Sequence, residues 1–142
     1  MERNKPLKVT EIDLTNFIGS ELIDIKRENI STQPGIYLLY RKEHISQRYS
    51  NKDNTGLINI GSSSNLQQRI VNLKNGILGN NPQTHSINER LGFYFRDSQD
   101  ISNYFVKYQF LHSIKDSKSK EKLLIQTYFK KYLDLPILNS NR

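Results

Sequence analysis

Cysteine is absent from this chain of 142 residues, which removes disulfide scaffolds, thiolate zinc sites and thiol catalysis from consideration. Tryptophan is absent as well, and so is alanine, of which a chain this size ordinarily carries roughly ten. Lys, Asn, Ile, Leu, Ser and Tyr stand in their place. That usage is typical of AT-rich coding sequence, and predicts an intracellular protein of organellar (mitochondrial), phage or AT-rich microbial origin. No run reaches the roughly 20 apolar residues of a membrane span, so no membrane partner is expected. The start Met1-Glu2-Arg3-Asn4-Lys5-Pro6 has no apolar stretch behind its charges and does not read as a secretory signal. The three histidines (His44, His85 and His112) are too scattered for a local metal box.

What is present is positive charge. Lys and Arg number 21 against 14 Asp and Glu, a formal charge of +7. A basic surface releases condensed counterions when it meets phosphates, so the expected partner is a polyanion. The length allows one compact domain, and 35% hydrophobic residues with 8 Tyr and 6 Phe supply a thin but sufficient core.

Residues 1–33 are polar with scattered apolar positions, and read as an N-terminal extension holding a short helix capped by Asp13 or Thr15 and running through Leu22. Gln33-Pro34-Gly35 is a turn that opens a strand over Ile36-Tyr37-Leu38-Leu39-Tyr40. Residues 43–55 are a long polar hairpin loop. A second strand, Leu57-Ile58-Asn59-Ile60, is expected to stop at Gly61. A helix follows near Leu66–Asn75, capped by Ser63 or Ser64 and ended by Asn75-Gly76. A short helix is expected over His85–Leu91, and a strand from Gly92. The clearest strand is Asn103–His112: Tyr104, Val106, Tyr108 and Phe110 share one face, with Phe105, Lys107, Gln109 and Leu111 on the other. A final helix spans about Ser117 to Leu133, with Leu124, Tyr128 and Tyr132 in line, and Pro136 ends it. Tyr104, Tyr108 and Tyr128 are expected in the core. The fold class is α+β: a small, three-stranded, mainly antiparallel sheet flanked by helices, occupying residues 34–142.

Gly35-Ile36-Tyr37, then Asn59-Ile60-Gly61, then Gly61-x-Ser63-x-Asn65-Leu66-x-x-Arg69 resemble the GIY-YIG nuclease family. The likeness continues through His85-Ser86-Ile87 and the strand at Phe105–Leu111 to the closing Pro136-x-x-Asn139, and covers about residues 34–139. It implies a nuclease-like fold in which Tyr37, Arg69, His85 and Asn139 occupy active-site positions, Arg69 presenting a fork of donors to a phosphate. It also implies a divalent cation, Mg²⁺ or Mn²⁺, in active members.

Three positions depart from the family pattern. Asn59 replaces the second tyrosine, and Leu73 stands one turn after Arg69. Counting back from Pro136 and Asn139, Gln126 falls where the metal-binding glutamate is expected, and a neutral amide is a poor ligand for a hard cation. Glu121, five residues away, points about 140° round the helix and is set aside. These losses predict little or no hydrolysis and no resident cofactor. The expectation is a nucleic-acid-binding protein, for DNA or structured RNA, of a kind that assembles with other proteins in a ribonucleoprotein such as an organellar ribosome. The alternative is an active metal-dependent endonuclease of homing, restriction or phage type; a module that binds no nucleic acid is the third reading. Candidate phosphate contacts are Arg69, Lys74, Lys118, Lys122, Lys130 and Lys131.

Overall fold

In the computed structural model, residues 14–48, 52–79, 91, 95 and 97–139 are described. Gly35–Arg41 (β2) pairs antiparallel with Leu57–Ser63 (β5) on one side and with Tyr104–Phe110 (β6) on the other. Ile18–Glu21 (β1) adds to the free edge of β6, giving a four-stranded antiparallel sheet in the order β1-β6-β2-β5. The described sheet therefore has four strands, not the three expected. Residues 18–21, which the sequence places in a short helix, are a strand. The open edge of β6 offers their backbone hydrogen bonds that a poorly periodic helix would have to find alone. Leu22, Ile25 and Ile30, all within the expected extension, are buried in the main core.

Alternation along the strands sorts the side chains onto two faces. Tyr37, Leu39, Tyr104, Val106 and Tyr108 join Leu66, Ile70, Leu73 and Ile77 of helix α1 (Leu66–Leu78). On the opposite face, Ile36, Leu38, Leu57 and Ile60 meet Leu124, Tyr128 and Tyr132 of helix α2 (Ile114–Tyr132). The sheet is thus sandwiched between two helices, and the three expected core tyrosines are buried.

Helix boundaries follow capping chemistry. The Asn65 side chain, not Ser63 or Ser64, caps α1 by accepting from Gln68 N–H at 3.0 Å. The helix runs past Asn75-Gly76 because the left-handed stop is Gly79, at φ 83°. Ser113 caps α2 through Asp116 N–H.

The 43–55 loop holds a two-residue hairpin, Ser46–Gln47 (β3) with Lys52–Asp53 (β4). Asp53 Oδ2 accepts from the Tyr128 hydroxyl at 2.6 Å, and Arg48 donates to Leu135 O at 2.7 Å, so both ends of the hairpin are fastened to α2 and its exit. The expected helix over 85–91 and strand from Gly92 fall almost wholly outside the described residues. Among those residues, no helix is long and apolar enough to cross a membrane.

Candidate functional site

Tyr37 stands opposite Gly61 in the β2–β5 register, on the face that α1 covers. A Cβ at Gly61 would lie 2.5 Å from both Cζ and Oη of Tyr37. Only a hydrogen at that position lets the ring lie flat across β5, so Gly61 seats Tyr37 and does not end the strand. Arg69, in the first turn of α1, donates from Nη1 to the Tyr37 hydroxyl at 3.4 Å. The guanidinium is half-buried in the first turn of α1, where the helix dipole favours an anion, although the N–H groups of Leu66, Gln68 and Arg69 are already bonded to Gln33 O, Asn65 Oδ1 and Asn65 O. Two side chains 32 residues apart in sequence thus converge, and both belong to the expected set.

Asn139 binds the outer edge of β5. Its Oδ1 accepts from Ile60 N–H at 2.8 Å and its Nδ2 donates to Ile60 O at 2.9 Å, so the amide pairs with β5 as a neighbouring strand would. Asn59 donates to the same Oδ1 at 3.2 Å. Asn59 and Asn139 therefore form a buried-edge latch between β5 and the C-terminal segment. Leu73 is completely buried among the α1-side core residues, where an ionisable group would be costly.

Gln126 lies elsewhere. It is exposed, in a shallow depression with Ile125, Phe129, Lys130 and Leu135. Two residues beyond Leu124 it has turned about 200° from the core-facing line of α2. There it falls in one row with Lys118, Lys122 and Lys130, all exposed. Lys131 is exposed too, with Nζ 5.4 Å from the centre of the Tyr132 ring. Lys74 donates to Ile23 O at 2.9 Å and Ile25 O at 2.7 Å, tying residues 22–25 to α1. His85 lies outside the described residues.

The carboxylate that does face the sheet is Glu121, which accepts from Ser62 Oγ at 2.5 Å. Ser62 pairs with Ile36, so it belongs to the α2 face, opposite to Tyr37 and Arg69. Glu121 continues the line of Ser117, Leu124, Tyr128 and Tyr132, a spacing from which its inward direction was readable. A second polar centre was missed altogether. Asp53, buried to 1% exposure, receives Thr55 N–H at 2.8 Å and Thr55 Oγ1 at 2.6 Å besides the Tyr128 hydroxyl. Burial, then the bond to this carboxylate, pushes the Tyr128 phenol far above its ordinary pKa, so it stays a donor. Burial first, and then Asp53, raises Tyr132 in the same direction.

Comparison with family models, curated proteins and solved structures gives no significant match. The functional reading therefore rests on the chemistry of these residues and on the sequence likeness.

Proposed function

We propose that this chain is a nucleic-acid-binding protein on a GIY-YIG-nuclease-like scaffold, gripping phosphate through Arg69 without cleaving it. The observation that carries the reading is the meeting of the Arg69 guanidinium and the Tyr37 hydroxyl at the first turn of α1. A fork of donors beside a helix N-terminus suits a phosphate oxygen. The formal charge of +7 favours a polyanion, and Lys118, Lys122 and Lys130 form a separate exposed basic row on the far side of the sheet from Arg69. An assembly with other proteins around a structured RNA is compatible with this mode of contact, which reads backbone and shape.

The cation implied by the resemblance does not fit the residues present. A hard divalent ion prefers carboxylates. Gln126 is neutral and turned outward, while Glu121 holds Ser62 on the face of the sheet opposite Arg69. Among the described residues, no three metal-ligating side chains gather. No hydrolytic step is derived.

The test is fluorescence anisotropy with labelled duplex DNA and hairpin RNA, between about 50 and 200 mM salt. Affinity should fall steeply with salt, and Arg69→Ala should weaken it roughly tenfold, the loss of one charge-assisted contact. No binding at low salt would sink the nucleic-acid reading. Plasmid nicking by the unmodified protein with Mg²⁺ or Mn²⁺ would replace the proposal with the endonuclease alternative.

A further inference from the structure

Helix α2 lies over β2 and β5, and β1 and β6 extend the same sheet face beyond it. Two cross-strand rows can be read there from the register. The first is Glu21, Phe105, Tyr40 and Leu57; the second is Gly19, Lys107, Leu38 and Ile60. Tyr40 and Phe105 meet edge-to-face at 6.4 Å and both are partly exposed, and Lys107 Nζ stands 5.4 Å from the centre of the Tyr40 ring. Gly19, opposite Lys107, makes room for the tip of the Phe105 ring, since a Cβ there would lie 3.0 Å from it. Around these side chains is a pocket of about 300 Å³, lined by Tyr40, Lys42, Glu43, Thr55, Phe105 and Lys107 and by Arg41.

The chemistry of this lining is specific. Phe105 and Tyr40 stand at 68° to each other on the sheet surface, so a planar group can lie on one ring and meet the other at its edge, and two lysines stand beside them. Lys42 is paired with Glu21 and Arg41 with Asp97, which leaves Lys107 as the cation not held in an ion pair with either, across the pocket lining from Glu43. Sheet-borne aromatics beside cations are the usual means of holding unpaired bases, because every base has a face to stack and a phosphate next to it. Paired bases of a duplex present edges and phosphates but no free face. A volume near 300 Å³ is at the small end of ligand sites and suits one base. Burial, then the nearby Asp53 carboxylate, raises the Tyr40 phenol to about 12.

We propose that this pocket takes one unpaired base of a single-stranded nucleic acid, stacked on Phe105 with Tyr40 at its edge and its phosphate at Lys107. The proposal rests on the nucleic-acid reading above, but concerns the face of the sheet opposite to Arg69, and adds single-strand recognition to backbone contact.

Three labelled probes test it on the intact chain: a short oligothymidylate, the same length carrying abasic sites, and the corresponding duplex. The unmodified protein should hold the base-bearing strand roughly tenfold tighter than the abasic one, the value of one stacked base. Phe105→Leu, which keeps an apolar side chain, should erase that preference and leave duplex affinity unchanged. Lys107→Gln should weaken both single strands alike and lower the salt slope by about one. Equal affinity of the unmodified protein for base-bearing and abasic strands overturns the proposal whether or not the variants fold. Duplex binding that persists in that case leaves the Arg69 reading standing, whereas failure of all three probes at low salt removes both.

Discussion

At the scale of single residues, the two glycines of the paired triplets act by what they leave out. Gly61 gives its space to the Tyr37 ring, and a Cβ on Gly35 would sit 2.2 Å from Gln109 O and 2.4 Å from a methyl of Leu66. Each lets three elements close on one point, and Tyr37 reaches Arg69 because of it. Gly61→Ala should therefore destabilise the fold by about 1–3 kcal/mol, the range for forcing extra volume into a packed site. It should also weaken duplex binding, since the displaced ring no longer orients the guanidinium. Guanidinium denaturation with anisotropy on the same sample checks both, and unchanged stability would mean that β5 shifts freely at this point. Leu73 and Lys74 show the complementary lesson. One turn of α1 beyond Arg69, the side chains serve the core and the 22–25 segment.

Among the elements, α2 carries most of the unexpected organisation. Its inward line from Ser117 through Glu121, Leu124, Tyr128 and Tyr132 covers β2 and β5, and its opposite face carries Lys118, Lys122, Gln126 and Lys130. The sequence likeness placed Gln126 by counting along the chain, whereas the helix places it by angle, and the angle puts it outside. The same helix anchors the β3–β4 hairpin through the Tyr128–Asp53 bond, made where both groups are buried. Tyr128→Phe removes one donor from a buried carboxylate and should cost about 1–3 kcal/mol. Thermal melts of the variant and of Tyr128→Phe with Asp53→Asn would check this. The double variant should recover part of the loss, because the charge left short of a partner is gone.

For the molecule as a whole, the question is where the fold begins. Leu22 is fully buried, with Ile25 and Ile30 beside it, and β1 closes the outer edge of β6. Deleting residues 1–25 should leave a chain without a cooperative unfolding transition. The loss of Leu22 alone is worth about 2–5 kcal/mol, against a total of about 5–15 kcal/mol for a typical domain. A shortened chain that still melts cooperatively would show that residues 26–142 suffice. Basic character is also a property of the whole: the lysines lie on several elements, and what they share is an exterior with few carboxylates on the outer face of α2.

Much of this was legible in the chain itself. The β-prone run at 36–40 after the turn at Gln33-Pro34-Gly35, the period-two run at 104–110, the α1 string and the in-line Leu124, Tyr128 and Tyr132 marked strands, helices and core faces, because local pattern reports which side of an element is buried. Charge and the absence of cysteine bounded the partner chemistry. Only the tertiary structure decided that residues 18–21 form a strand, since that depends on an unpaired edge nearly 90 residues away. It alone set Glu121 against Ser62, brought Tyr37 beneath Arg69, and left Phe105 and Tyr40 partly exposed on the sheet. Contacts between distant segments depend on how faces meet in space, and linear spacing carries no direct record of that meeting.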